Sequence, residues 1–325
     1  MSDDASPPPP IRTCVFPIAG RKGAFQPATK SMPREMLPII DTPLILHAVN
    51  EARAAGCERF VFVERPGAFQ IRRFFEQDEA LARDIEPIFG EAAAAAVRDA
   101  ALPEGAAVFV EQDPARRGLG DAVACAQAAV NPPDAEPEPF AVILPDELVI
   151  APTPVLAQMA RRWTRLGLGG AGAAMLAGME VARTEVARYG IMGIDDTGGD
   201  LVAVARLDEK PSTDYSLSNF AITGRYLLPP AIFDAIDATE PDRNGALQLT
   251  DAIAKLLGET PVWGFRFEGE RFDCGSQSGL VRATIATAML REELRGDTVL
   301  YMRRMLDRLP SSEGSAWTRR ASRRG

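Results

Sequence analysis

Residues 13–38 read Thr13-Cys14-Val15-Phe16-Pro17-Ile18-Ala19-Gly20-Arg21-Lys22-Gly23-Ala24-Phe25-Gln26-Pro27-Ala28-Thr29-Lys30-Ser31-Met32-Pro33-Arg34-Glu35-Met36-Leu37-Pro38. Thr13–Ile18 is an apolar run that stops at Ala19-Gly20, as a buried strand does. The loop that follows is rich in Gly, Pro and basic residues. Arg21, Lys22, Lys30 and Arg34 place four cations and no acid within residues 20–34. Beyond it the spacing predicts a helix near Pro43–Ala55, closed by Gly56, and a second apolar run at Arg59–Val63. Strand, loop, helix, strand is the βαβ unit of a parallel sheet. Gly20 and Gly23 let backbone N–H groups approach a ligand closely. A basic, Gly-containing loop at the carboxyl end of a parallel strand is where phosphate-bearing ligands sit in open α/β sheets. Two readings stand at this point, a phosphate cradle and an ordinary basic surface loop. The P-loop and dinucleotide fingerprints are both absent from it.

Working outward, Gln70–Arg83 and Glu91–Ala101 read as helices and Ala107–Glu111 as a strand. Gly118–Ala129 reads as a helix, Asn131–Pro139 as a Pro-rich surface loop. Phe140–Leu144 is a fully apolar strand stopping at Pro145-Asp146, as expected for a strand covered on both faces. From about residue 170 the pattern changes to Gly/Ala-rich segments and the short runs Leu201–Ala205 and Ile222–Leu228, which suggest added strands, some antiparallel. Gln248–Leu257 and Gly279–Leu294 read as helices. The expected fold is Rossmann-like α/β, with a mixed, mostly parallel sheet flanked by helices and a smaller β-containing elaboration. Residues 1–10 read as a disordered leader and 309–325 as a disordered basic tail. Residues 11–308 form one domain, its halves meeting near residue 150.

The chain has 325 residues, 46% hydrophobic and 25% charged, with a formal net charge of −9. That length buries a large core, and the composition excludes wholesale disorder and small disulfide scaffolds. No apolar run approaches the roughly 20 residues of a membrane helix, so no membrane insertion is expected. The opening MSDDASPPPP lacks the basic-then-apolar order of a signal peptide. Net acidity argues against general nucleic-acid binding. Chemistry needing two imidazoles is excluded, because His47 is the single histidine; it falls inside the first helix and reads as a packed or partly exposed helix residue. Cys14, Cys57, Cys125 and Cys274 have no C-x-x-C spacing and suit a reducing cytoplasm as small buried hydrophobes.

The stretch Val15–Pro38, continuing through Asp41-Thr42-Pro43-Leu44-Ile45, resembles the signature of bacterial UTP–glucose-1-phosphate uridylyltransferases, within the sugar-1-phosphate nucleotidyltransferase family. Those proteins carry a G-x-G-T-R-x-x-P-A-T-K-x-x-P-K-E-M-L-P run. Further matches follow in family order: Gly118-Leu119-Gly120-Asp121-Ala122-Val123, Ile143-Leu144-Pro145-Asp146, Tyr189-Gly190 and Glu209-Lys210-Pro211. Next come Ser218-Asn219-Phe220-Ala221-Ile222-Thr223-Gly224-Arg225-Tyr226, Gln248-Leu249-Thr250-Asp251-Ala252-Ile253 and Asp273-Cys274-Gly275. The resemblance thus spans nearly the whole chain.

It implies a reaction that joins a sugar 1-phosphate to the α-phosphorus of a nucleoside triphosphate and releases pyrophosphate. The attacking phosphate oxygen is largely ionised at neutral pH, since its second pKa is about 6, so no general base is required. In-line positioning and charge neutralisation are. By the resemblance, Asp146 and Asp273 match metal-binding carboxylates for Mg²⁺, which takes one or two carboxylates plus phosphate oxygens. Glu147, adjoining Asp146, reads as solvated. Glu209 corresponds to a sugar-hydroxyl acceptor and Lys210 to its phosphate partner, with Gly190 and Asn219 lining that pocket. Ala19 and Gly20 would place backbone groups on the base, and Glu35 and Gly118 fall in substrate-binding motifs. Gln112 is the candidate for reading the uracil edge, with Asp113 as the alternative. Arg21, Lys22, Lys30, Arg34 and Lys210 are the candidate charge-neutralising groups. UTP and glucose 1-phosphate are the implied substrates, and a homodimer or homotetramer the implied assembly.

The sequence also departs from the pattern. The family's Arg in Gly-Thr-Arg aligns with Ala24, and the Lys in P-K-E-M-L-P is Arg34. The Glu expected before Q-L-T-D is Leu247 or Ala246, and the Lys after D-C-G-x is Gln277. Three functions follow: an active uridylyltransferase, a binding or regulatory paralogue without turnover, or a nucleotidyltransferase with another base or sugar.

Overall fold

The first strand, β1 (Thr13–Pro17), is buried on both faces and pairs in parallel with β4 (Arg59–Glu64) and β6 (Phe140–Ile143). The computed structural model describes residues 11–20, 23–169, 172–194, 198–216 and 218–308. The leader, the basic tail, Arg21 and Lys22 therefore lie outside the described residues. The other strands are β2 (Pro38–Ile39), β3 (Thr42–Pro43), β5 (Ala107–Glu111), β7 (Glu147–Ile150), β8 (Ala174–Glu180) and β9 (Gly190–Ile194), then β10 (Leu201–Glu209), β11 (Phe220–Leu228), β12 (Val262–Arg266) and β13 (Glu270–Asp273). Nine of them form one sheet in the order β5-β4-β1-β6-β11-β8-β12-β10-β9. Only β10 and β11 run against the rest, so the expected mixed, mostly parallel sheet is what forms.

Alternation along the central strands builds a core on each face of the sheet. Val15, Val61 and Val63 point to one side, where the helix Leu119–Cys125 covers them and the helix Leu249–Leu256 packs beside it. Phe16, Phe60 and Phe62 point to the other, under the helices Leu44–Ala54 and Val155–Arg165. Phe16 and Phe62 stack at 5.1 Å, a geometry that adds to their burial.

Three predicted helices are each interrupted, Gly118–Ala129 by a turn at Ala126 that separates the helices Leu119–Cys125 and Gln127–Val130. The stretch Gln70–Arg83 is two helices, Gln70–Phe74 and Glu79–Phe89. Phe75 turns inward to stack on Phe62 at 5.1 Å, and Asp78 caps the second helix by accepting from Leu81 N–H. Near the C-terminus one helix spans Gln277–Leu290 and another Glu292–Asp307. The break is Arg291, which leaves helical backbone while its guanidinium pairs with Asp41 at 2.5 Å.

A small third cluster positions the site. Phe25 and Leu37 from the basic loop pack with Leu148, Phe272 and Ala283. This seats the loop on an antiparallel ribbon, β7 paired with β13, and on the helix Gln277–Leu290. The ribbon was not legible in the sequence; Glu147–Ile150 follows directly on the Asp146 turn.

Candidate active site

The ribbon explains how residues 146 and 273 meet. Asp146 leads into β7 and Asp273 ends β13, where it lies opposite Glu147. The Cys274 amide donates to the Asp146 carbonyl at 2.8 Å, fixing one turn against the other. Gly275 faces both carboxylates: a Cβ there would stand 2.8 Å from Asp146 Oδ2 and 3.0 Å from Asp273 Oδ1. Two anionic oxygens thus converge on a hollow that any side chain at 275 would fill.

Cations from two directions neutralise this pair. Arg34, in the short turn Arg34–Met36, donates through Nη2 to Asp146 Oδ2 at 3.0 Å and to Glu35 Oε1 at 3.2 Å. Its side chain is only 11% exposed, yet Nε and Nη1 have no hydrogen-bond partner. Buried guanidinium donors without partners are costly, and these leave capacity to bind an anion. Glu35 is buried beside it, and desolvation raises its pKa against the opposing pull of Arg34. On the other side Arg188 Nη2 donates to Asp273 Oδ2 at 2.9 Å and lies over the Tyr189 ring.

Glu147 is not solvated. Its carboxylate makes a forked pair with Arg271, at 2.5 and 2.8 Å, because β7 and β13 place the two side chains on one face. Burial raises the Glu147 pKa while Arg271 pulls it down. Arg271 also donates to the Tyr189 hydroxyl at 3.0 Å. Beneath the turn, Arg225 is fully buried and donates to the Glu147 carbonyl and, in a second fork, to Glu51 at 3.1 and 2.8 Å.

A second group lies where β9 and β10 pair, with Gly190 opposite Glu209. Only glycine fits at 190, since a Cβ would lie 2.8 Å from Thr250 Oγ1. Lys210 leaves the strand with φ of 48° and pairs with Glu209 at 2.5 Å. Asp251, one residue beyond Thr250, is half-buried, and desolvation together with the charges of Glu209 and Asp242 raises its pKa. Asn219 donates to the Val181 carbonyl at 2.9 Å, which commits its amide nitrogen to the fold.

The base-reading candidates sit at the ends of β1 and β5. Ala19 and Gly20 follow β1 after Ile18, half-buried and exposed respectively. Gln112 is buried and donates to Asp121 Oδ2 at 2.7 Å, while Arg116 holds Asp121 Oδ1. Asp113 is exposed and accepts from Ala115 N–H, a turn role. Gly118 is packed against the Leu247 backbone, where a Cβ would fall 2.1 Å from the carbonyl oxygen. Lys30 is exposed at the end of the turn Ala28–Lys30.

The nucleotidyl transferase profile matches residues 19–289. The chain belongs to the nucleotidyl transferase family. Among its relatives, a UTP–glucose-1-phosphate uridylyltransferase of Pseudomonas aeruginosa is 36% identical over 84% of this chain and 95% of its own length. UTP–glucose-1-phosphate uridylyltransferase 1 of Staphylococcus saprophyticus is 34% identical over 90% of this chain and 98% of its own. A solved UTP-bound UGPase from Acinetobacter baumannii superposes with a TM-score of 0.76 at 30% identity, covering 92% of this chain and all of that one.

Within this nucleotidyl transferase the departures from the motif have neighbours that explain them. Gln277 donates to the Ala24 carbonyl at 2.9 Å, so two positions where the family carries cations meet in a neutral contact. Leu247 packs its side chain at Gly120 and accepts from the Gly120 amide at 2.9 Å. Asp146 and Asp273, expected from the sequence as metal ligands, fit a small divalent cation: two carboxylate oxygens face one hollow that glycine keeps open. Among the described residues no group of three or more His, Cys, Asp or Glu is placed to hold a metal unaided, so substrate oxygens would complete the shell. No described helix is long and apolar enough to cross a membrane.

Sequence reasoning missed Arg188, Arg271 and Asp251 as neighbours of the site. Asp251 alone carried a signal, inside Gln248-Leu249-Thr250-Asp251; the arginines lie between motifs.

Proposed function

We propose that this nucleotidyl transferase joins glucose 1-phosphate to UTP, forming UDP-glucose and pyrophosphate. The observation that carries the reading is the convergence of Asp146, Asp273 and Arg34 around the hollow at Gly275. The names of the relatives support the same substrates.

Asp146 and Asp273 would hold Mg²⁺, which supplies charge neutralisation to the phosphates when bound. Arg34 orients phosphate oxygens through donors that are otherwise unpaired. Lys210 pairs with the sugar phosphate and Glu209 accepts from sugar hydroxyls, so the nucleophilic oxygen is held in line rather than deprotonated. Gln112 reads the base. Because Asp121 can only accept, it fixes the Gln112 amide with Nε2 inward, leaving Oε1 to accept the N3–H of uracil. Cytosine presents no donor there.

The free cysteines support a cytoplasmic setting. Val281, Leu290, Tyr301 and Leu306, exposed on the last two helices, support assembly as a homodimer or homotetramer. The deciding experiment supplies purified protein with Mg²⁺, glucose 1-phosphate and each nucleoside triphosphate in turn. Pyrophosphate release is expected with UTP. Binding of UDP-glucose without turnover on any triphosphate would replace this reading with a binding-only one.

A further inference from the structure

We propose that Arg65 binds the outer phosphates of the nucleoside triphosphate, and the pyrophosphate released from them. This deepens the proposed function and rests on it.

A cavity of about 490 Å³ opens between the basic loop and the start of the helix Gln70–Phe74. Lys30, Arg34 and Arg65 line it together with Gly20, and among the described residues no Asp or Glu does. Uncompensated positive charge in a concave wall attracts and concentrates anions. Gly20 and Arg34 belong to the nucleotide side of the candidate active site, so the cavity continues that site.

Arg65, like Lys30 in the same wall, has no ion-pair partner among the described residues, unlike Arg34 and Arg72. Arg72, seven residues on, is taken by Glu64 at 2.8 Å. Arg34 spends Nη2 on two carboxylates and keeps Nε and Nη1 unpartnered. Thr29 Oγ1, in the same wall, is also buried without a partner. The position of Arg65 is fixed: its carbonyl accepts from Ala68 N–H at 3.0 Å, and Gln70 Nε2 donates across to the Ser31 carbonyl at 3.0 Å. That second bond ties the Arg65 segment to the basic loop over the cavity.

The chemistry follows from what the loop lacks. Ala24 contributes only a carbonyl, and that carbonyl is engaged by Gln277. A guanidinium entering from the end of β4 restores a forked donor to the phosphate chain. Arg65 lies in Glu64-Arg65-Pro66-Gly67, outside every stretch that carries the resemblance.

The test is calorimetric titration of wild type, Arg65→Gln and Arg65→Lys with Mg²⁺-UTP, UMP and inorganic pyrophosphate. Arg65→Gln is expected to weaken UTP and pyrophosphate by about tenfold to a hundredfold, the worth of charge-assisted hydrogen bonds, with UMP unchanged. Arg65→Lys should recover part of the loss. Unchanged UTP and pyrophosphate affinity in Arg65→Gln overturns the assignment. So does an equal loss for UMP, which would mean that Arg65 merely props the loop. If wild type binds pyrophosphate but not UTP, the proposed function fails while the pyrophosphate arm still decides the role of Arg65.

Discussion

The amide of Cys274 and the carbonyl of Asp146 are joined at 2.8 Å, so the turn entering one ribbon strand is clamped to the turn leaving the other. Gly275 stands beside that clamp with both carboxylates at its open face. Gly275→Ala pushes a methyl group into the hollow without touching the core. Mn²⁺ affinity, followed by electron paramagnetic resonance, should fall by about tenfold or more, with turnover falling alongside and little change in Tm. An unaltered Mn²⁺ titration would remove the metal assignment from this hollow.

The Gln112 amide owes its orientation to a carboxylate. Asp121→Asn replaces an obligate acceptor with a group that can also donate, so both orientations of Gln112 become possible. Discrimination between UTP and CTP, measured as the ratio of kcat/KM values, should narrow by about tenfold. If the ratio does not move, another group reads the base.

Glu51 and Arg225 form a buried fork reinforced by Leu156 N–H, which donates to Glu51 at 3.0 Å. Arg225→Met leaves an uncompensated buried carboxylate and should cost about 3–5 kcal/mol in urea unfolding. The double change Glu51→Leu with Arg225→Met should recover a substantial part of that. Equal losses in the single and double variants would mean that the pair contributes through packing alone.

Asp41 is held at a pKa of about 2, below its ordinary 3.8, first by hydrogen bonds from Arg291 and then by Thr42. A depressed carboxylate pKa stabilises the folded state above the unfolded value, and that contribution disappears as pH falls through the folded one. Asp41→Asn should therefore lower Tm slightly above pH 4, the pair being exposed and screened. The difference between variant and wild type should close between about pH 4 and pH 2. A gap that persists at lower pH would implicate something other than the Arg291 pair.

Much of the fold was legible because apolar runs such as Arg59–Val63 and Phe140–Leu144 leave no alternative to buried strands. The breaks at Phe75 and Arg291 were not, since each depends on a partner, Phe62 or Asp41, that sequence spacing does not reveal. The same holds for the site. Asp146 and Asp273 stood in recognisable motifs and are brought together. Glu147 reads as solvated in isolation because its partner, Arg271, is remote in sequence and reaches it only through the ribbon. Gln277 looked like a lost cation, whereas its amide closes the loop on the Ala24 carbonyl.

The ribbon has a mechanical consequence. Its ladder runs between β7 and β13 and is not shared with the nine-stranded sheet. Glu209, by contrast, sits at the end of β10 within that sheet. The carboxylates of Asp146 and Asp273 therefore stand on a ribbon that meets the frame through a side chain, Arg225 of β11 donating to the Glu147 carbonyl, while Glu209 belongs to the frame itself. A change in the gap between them would strain that side-chain tie but break no rung of the main sheet.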